Sequence, residues 1–568
     1  MSGPAYNIGS LITEAARKAP SKIAVFVPVK DGPDGSVIHR GWTFGELDTA
    51  CGQFAHGLKS LGICDGTRTL LMVTPGFEFI ALAFALFKTG AVPVMIDPGV
   101  GRHNLLDCIG RAEPEALIGA PKAHLARVLF PRYFRSVKTS VTVGRCWLWG
   151  GYCLDQIRAK TDAPFPDAVT KLSDTAAILF TTGSTGVPKG VVYEHGVFKA
   201  QVDLIRNHYG ITENDVDMPA FPLFALFSVG MGMSVVIPRL DPSNPASADP
   251  AKIVSAIRDK SVTFTFGSPA IWRKVSAYCR DNRITLPTLK KVLMAGAPVR
   301  DEIHQRLLVG ILPEGAVTHT PFGATEALPV CDMTGAEVLA ETAQMTRAGR
   351  GYCVGRPLPG IGVEIIGIDD GPIETWDESL KTPAGEVGEI VVNGPVVTKE
   401  YFRLPEQTRL AKIRDPQTGV IRHRMGDVGY IDEKGRLWFL GRKNHRVVTE
   451  DGTLFTIAVE AIFNNHPEVF RSALVGAGSA PRQTPVIIIE LNKRARQAAP
   501  LLGARQRDEQ KIAEELLDMA AKSQVAVAVK RLLFHPAFPT DARHNAKIFR
   551  EKLKVWAESK LSGAYAKA

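Results

Sequence analysis

No two cysteines in this chain are spaced as CxxC, and none lies with histidine at metal-ligand spacing. The eight (Cys51, Cys64, Cys108, Cys146, Cys153, Cys279, Cys331 and Cys353) are scattered over 568 residues. This excludes a zinc ribbon or a disulfide-framed secreted module and leads us to expect reduced, mostly buried thiols in a cytoplasmic protein. Met1 to Lys18 has no apolar signal core. Low-complexity tracts and internal repeats are absent. So is any run of basic residues studded with aromatics, which excludes the common nucleic-acid modules. The formal net charge is +10, and from Gly441 onward 21 Lys and Arg stand against 13 Asp and Glu. Because these cations are interspersed with carboxylates, the expected partner is an anionic small molecule. The longest apolar stretch, Pro219 to Pro238 (PAFPLFALFSVGMGMSVVIP), is broken by Pro222, Gly230 and Gly232 and has no positive flank on its N-terminal side. We read it as a buried helix and strand, with no transmembrane segment.

What the chain does have is a globular composition, 45% apolar and 22% charged, in a length that implies roughly three to four structural units. Phe180 to Gly190 reads FTTGSTGVPKG directly after the strand-like Ala176-Ala177-Ile178-Leu179. Glycines including Gly183 and Gly186 let the backbone approach an anion. Thr181, Thr182, Ser184 and Thr185 supply small donors, and Lys189 supplies a point charge for a phosphate oxygen. A Walker A loop is excluded, because Lys189 lies between Pro188 and Gly190 and runs into Val191-Val192-Tyr193, a second strand.

In chain order, Thr43 with Glu46 has the capping-box offset before an amphipathic helix through Phe54, Leu58 and Leu61. A strand from Thr69, a helix over 77–90 and a strand ending at Asp97 predict a βαβ unit. The aromatic- and glycine-rich 131–166 stretch is either the wrapping of a hydrophobic pocket or a surface insertion. Helices at 252–259 and 271–279 alternate with strands at 262–266 and 291–294. The last of these runs into Gly296-Ala297-Pro298, at the carboxyl end of a strand where α/β sheets bind ligands. Beyond it stand His319-Thr320-Pro321-Phe322-Gly323-Ala324-Thr325-Glu326, then Gly426-Asp427-Val428-Gly429, Gly441-Arg442-Lys443-Asn444 and, near the end, Ala546-Lys547-Ile548.

These segments, in this order, resemble the adenylate-forming superfamily of acyl-CoA synthetases, luciferases and peptide-synthetase adenylation domains. The resemblance implies an α/β fold: a large N-terminal domain of α/β sheets with a small barrel-like subdomain (1–440), followed by a small, mobile α+β C-terminal domain (441–568). It implies ATP and Mg²⁺ as cofactors. Gly296, Ala297 and Pro298 would border adenine, and Phe322, followed by Gly323, would stack on it. Thr325 would meet the α-phosphate, Glu326 would hold Mg²⁺, Asp427 would bind both ribose hydroxyls, and Arg442 would reach the nucleotide. Lys189 and Lys547 would neutralise phosphate charge. A single carboxylate suffices for Mg²⁺, which keeps most of its waters, and one Asp can accept two hydroxyl hydrogen bonds. The sequence departs from the family pattern at Phe322 (commonly Tyr), at Ala225 where many relatives carry His, at Asn444 in the hinge and at Ala546.

Within the family, the FPLFALFSVG, HTPFGATEALPV and HNAKIFREKL wording most resembles the β-lactone synthetases of bacterial long-chain olefin biosynthesis. That branch implies a long-chain 2-alkyl-3-hydroxy acid as substrate. It also implies assembly with a thiolase-like condensing enzyme, a ketoacid reductase and a β-lactone decarboxylase. The alternatives are a long-chain acyl-CoA ligase or an acyl-AMP ligase feeding a carrier protein. Glu450 and Asp451, in the stretch where the family frames a pantetheine tunnel, would repel the phosphates of CoA. His195 and His319 are the histidines nearest the motifs, each a candidate base for the hydroxyl proton and each equally readable as structural.

Overall fold

The computed structural model describes residues 5–33, 35–181, 188–241, 244, 247–492, 502–540 and 548–565. Three large sheets carry the chain as far as Arg442. The first has seven strands, Tyr152–Cys153, Thr139–Thr142, Ala116–Gly119, Arg68–Met72, Val92–Ile96, Thr175–Thr181 and Lys189–Glu194 in spatial order, all parallel except the last pair. The expected βαβ unit lies at its centre, with Arg68 paired to Val92. The connecting helix, Phe77–Lys88, is buried at every position except Glu78, as an apolar helix between packed layers must be.

The second sheet also has seven strands, and its parallel part runs Val317–His319, Lys291–Met294, Phe264–Gly267, Val216–Asp217, Ser234–Val236, Ile23–Asp31. The Pro219 to Pro238 stretch is the helix Phe224–Gly230 followed by the strand Ser234–Val236, both largely buried. No helix among the described residues is long and apolar enough to cross a membrane. The predicted capping box is present: Glu46 N–H donates to Thr43 Oγ1, and Thr43 N–H donates to Glu46 Oε2 at 2.7 Å.

An antiparallel eight-stranded sheet stands where the barrel-like subdomain was expected. It includes Phe322–Ala324, Ala327–Asp332, Ile421–Ile431 and Leu437–Arg442. After Arg442 come a hairpin, Val447–Thr449 with Gly452–Leu454, and a three-stranded sheet of Val469–Ala477, Thr484–Leu491 and Arg531–Phe534 with its own apolar core.

The expectation about thiols needs one correction. Cys51, Cys108, Cys279, Cys331 and Cys353 are buried free thiols and Cys64 is an exposed one, but Cys146 and Cys153 are joined in a disulfide. Their spacing of seven residues had no recognisable motif, whereas the turn through Gly150 and Gly151 brings their Cα atoms to 5.9 Å.

Candidate active site

The phosphate-loop strands pair antiparallel, with Thr181 opposite Lys189 and Phe180 opposite Gly190, so both ends of the loop leave the sheet together. The Thr181 side chain and residues Thr182, Gly183, Ser184, Thr185 and Gly186 lie outside the described residues, as does Lys547. Lys189 is half-buried, its Nζ 4.8 Å from the centre of the Tyr401 ring. Burial lowers its pKa, and the nearby Glu326 charge opposes that shift.

Glu326 sits in the turn between Phe322–Ala324 and Ala327–Asp332. The Tyr401 hydroxyl donates to its Oε1 at 2.6 Å, and Thr398 clamps its backbone, donating from N–H (2.9 Å) and Oγ1 (3.1 Å) to the Glu326 carbonyl. The Tyr193 hydroxyl donates to the Thr325 carbonyl at 2.5 Å, fixing the other residue of the pair. Burial raises both phenols, so both remain donors at neutral pH.

Three of these groups, Tyr193, Thr398 and Tyr401, escaped the sequence reading, as did Lys412. Lys412 is buried on a short strand paired to His423, and its ammonium donates to the carbonyl and to Oγ1 (3.2 Å) of Thr398. Burial pushes its pKa down to about 7, with Glu326 opposing and Lys189 reinforcing the shift. A chain Lys412, Thr398, Glu326 therefore supports the TE turn from behind. No local motif marks it. Lys412 sits in LAKIRD, an unremarkable cationic stretch, and only the strand pairing turns it inward.

Asp427 and Arg442 face each other across neighbouring antiparallel strands, their ion pair closing to 2.9 Å. Asp427 is buried, which raises its carboxyl to about 6 against the pull of Arg442. The GDVG segment, which could have been a turn, lies within the long strand Ile421–Ile431, with Gly426 at φ +65°. Phe322 packs near Phe439, ring centres 6.0 Å apart. Gly296 and Pro298 are exposed and Ala297 half-buried at the carboxyl end of Lys291–Met294, whose parallel neighbour Val317–His319 leads into Phe322. Strand order thus brings these two segments to one edge of the second sheet.

The two candidate histidines have different surroundings. His195 Nδ1 accepts the Ile8 N–H at 3.2 Å, and burial lowers its pKa to about 4. His319 Nδ1 lies 2.7 Å from Asp332 Oδ2, which His208 Nε2 also approaches at 2.9 Å. Burial alone would raise Asp332, but the hydrogen bonds from His208 and His319 outweigh it and hold the carboxyl below its usual range.

Beside the phosphate-loop strand is a cavity of about 40 Å³ with only apolar lining, including Phe84, Phe87, Leu179, Phe198, Leu223 and Phe227. Leu179 belongs to the strand that enters the loop, and Phe198 lies against Tyr193, centroids 4.7 Å apart. Ala225, where many relatives carry histidine, is buried two residues before Phe227 on the same helix. Small-molecule pockets are typically ~300–1,000 Å³, so with the side chains as placed this cavity is smaller than a ligand pocket.

Past Arg442, Lys443 Nζ reaches Glu389 Oε2 (3.1 Å), which also pairs with Arg424 (2.6 Å) in the interior of the third sheet. Asn444 lies in the short 3₁₀ turn that follows. Glu450 and Asp451 are at the exposed tip of the hairpin, with Glu450 paired to Arg482 (2.8 Å). In the last part of the chain, Arg550 is held by both carboxylate oxygens of Glu460 (2.7 Å each).

The AMP-binding enzyme family model matches residues 12–402. An olefin β-lactone synthetase of Stenotrophomonas maltophilia is 45% identical over 562 residues, covering 98% of each chain. One of Xanthomonas campestris pv. campestris is 44% identical over 557 residues, covering 97% of each. The amide bond synthetase McbA from Marinactinospora thermotolerans shares the fold, with a TM-score of 0.76, 22% identity and coverage of 97% of this chain and 99% of that one.

Proposed function

Given that this chain belongs to the AMP-binding enzyme family and is an AMP-forming ligase, we propose that it activates a long-chain 2-alkyl-3-hydroxy acid with Mg-ATP and closes it to a β-lactone, in the cytoplasm. The carboxylate oxygen attacks the α-phosphorus, and pyrophosphate leaves. The β-hydroxyl oxygen of the same acid then attacks the acyl carbon, losing its proton as AMP departs. The observation that carries this reading is the 45% and 44% identity, over nearly the full length, to two olefin β-lactone synthetases. The geometry is in keeping with it: an all-apolar cavity adjoins the strand that leads to Lys189.

The residues suit a nucleotide. Asp427 is a buried carboxylate with acceptor capacity for ribose hydroxyls, and Gly296, at φ +90°, leaves bare backbone beside the place assigned to the base. Phe322 would contact the ring and Gly323 the adjoining backbone. Glu326 is the carboxylate that would hold Mg²⁺, whose contribution is neutralisation of phosphate charge. Tyr401 and the Lys412–Thr398 chain orient Glu326, Tyr193 orients Thr325, and Lys189 meets a phosphate oxygen. Two anions must meet in the first step, so alignment and charge neutralisation supply most of the catalysis. Thr181, Thr182, Gly183, Ser184, Thr185 and Gly186 would cradle phosphate, Arg442 would join the nucleotide, and Lys547, on a mobile C-terminal domain (441–568), would reach the α-phosphate. The thiolase-like, reductase and decarboxylase partners would feed and drain the same pathway.

The test is product analysis by NMR with Mg-ATP and a long-chain 2-alkyl-3-hydroxy acid, with and without CoA. A β-lactone and AMP without CoA is the expected result. AMP release that requires CoA, with a thioester as product, would transfer the chain to the acyl-CoA ligases, a reading that the acidic tip at Glu450 and Asp451 disfavours.

A further inference from the structure

Most helices in this protein turn their apolar face inward. The helix Pro121–Leu129 also does the opposite. Its buried residues are Ala123 and His124, while Leu125, Val128 and Leu129, spaced i, i+3, i+4, are 50%, 54% and 61% exposed, and Phe130 follows at 44%. The disulfide-closed loop between Cys146 and Cys153 lies against this helix. Trp149 stacks on His124 (centroids 5.8 Å) and its carbonyl accepts from Arg127, while Trp147 meets the Trp149 edge. At the tip of the loop, Trp147 is 69% and Leu148 98% exposed. Every large aromatic among the exposed hydrophobic residues described (Phe130, Trp147 and Tyr152) belongs to this one region; the remainder elsewhere are isolated aliphatic side chains, which are ordinary on a surface.

Along this stretch of the chain the charge has one sign, up to the exposed Asp155 that follows it. Between Ala116 and Leu154 there is no Asp or Glu, and there are six cations: Lys122, Arg127, Arg132, Arg135, Lys138 and Arg145. All but Arg127 are exposed. A protein partner would ordinarily meet an apolar patch with a rim of mixed charge. Exposed cations on the same stretch of chain as aromatic and leucine tips instead match the headgroup and upper acyl layer of an anionic bilayer. We propose that this face docks the enzyme peripherally on an anionic phospholipid surface, with Trp147 and Leu148 inserted and the arginine and lysine side chains among the headgroups. The stretch lies towards the edge of the first sheet opposite to the strands that flank the phosphate loop, with the Ala116–Gly119, Arg68–Met72 and Val92–Ile96 strands between Thr139–Thr142 and Thr175–Thr181. Docking therefore leaves the nucleotide side uncovered. The inference is independent of which acid the enzyme activates.

The test is co-sedimentation of the full chain with vesicles of phosphatidylcholine, alone or mixed with phosphatidylglycerol. The wild type should pellet with the mixed vesicles and be released as salt is raised. The double substitution Trp147→Asp with Leu148→Asp, and separately Arg132→Glu with Arg135→Glu, should each lower the partition coefficient by roughly tenfold or more. ATP–pyrophosphate exchange with a short, water-soluble 3-hydroxy acid should be unchanged in both, which shows that the variants fold. A wild type that stays in the supernatant at low salt would overturn the proposal, as would either variant binding like wild type. Should vesicles fail to bind while Trp147→Asp with Leu148→Asp converts an oligomer to a monomer by light scattering, the face is a contact between copies of the chain and the proposal is likewise overturned.

Discussion

The two walls that meet at the Thr175–Thr181 and Lys189–Glu194 strands solve opposite problems. On one side the cavity has only apolar lining, and its side chains are held by packing alone. On the other, Lys189, Glu326, Lys412, Asp427 and Arg442 are gathered in partly or wholly buried positions, where unpaired charge is expensive. The charged wall is tolerable because its members are paired or hydrogen-bonded: Asp427 to Arg442, Glu326 to Tyr401, and Lys412 to Thr398. The apolar wall can lose a side chain at the cost of packing energy alone. A loss on the charged wall leaves a neighbour exposed to an uncompensated field.

Removing the carboxylate charge with Glu326→Gln should separate the walls most sharply. ATP–pyrophosphate exchange should fall by about 10²–10³-fold, the scale of losing one well-placed electrostatic group, and Lys189 and Lys412 lose the charge that opposes their burial. On the other wall, Leu179→Ala should cost about 2–4 kcal/mol of stability, measured by urea unfolding, and should enlarge the cavity without altering the pH dependence of exchange. Asp427→Asn should raise the KM for ATP by about 10–100-fold, the worth of a charge-assisted hydrogen bond.

The smallest effect per measurement is a slope. Lys412 has a folded pKa of about 7, lowered from 10.5. Between those values the unfolded chain binds the proton more readily than the folded one, so stability rises with pH at up to ~1.4 kcal/mol per pH unit from this group. Below about pH 7 the cost of burying it is fully in place. Lys412→Met should flatten that rise in urea midpoints between pH 7 and 10. It should also lower exchange activity moderately, because Thr398 loses the donor behind it. An unchanged slope would remove Lys412 from the charged wall.

How much of this was legible from sequence depended on whether a residue acts next to its own motif. Lys189, Thr325, Glu326, Asp427 and Arg442 stand in short glycine-marked segments, and the fold pairs Asp427 with Arg442 across neighbouring strands and brings Lys189 and Glu326 to the same tyrosine, Tyr401. The βαβ unit, the capping box and the helix and strand within Pro219 to Pro238 follow from periodicity and capping chemistry. Tyr193, Thr398, Tyr401 and Lys412 follow from neither. Each belongs to an ordinary strand or loop and becomes part of the site only through pairing across a sheet or through a loop folded back on the TE turn. The 131–166 stretch, read as either pocket wrapping or surface insertion, forms the outer edge of the first sheet, including Thr139–Thr142 and the Cys146–Cys153 loop. Its bonded cysteines carried no spacing signal.

The Tyr193 hydroxyl has a consequence for selectivity. Its ring is braced by Phe198 in the cavity wall, and its oxygen donates to the Thr325 carbonyl, so under the function proposed above the tyrosine would work as a strut between the acyl chain and the turn that carries Thr325 and Glu326. An acid too short to press on Phe198 would leave that strut slack. Discrimination between chain lengths would then be felt in turnover as well as in occupancy, and the enzyme would measure its substrate by leverage.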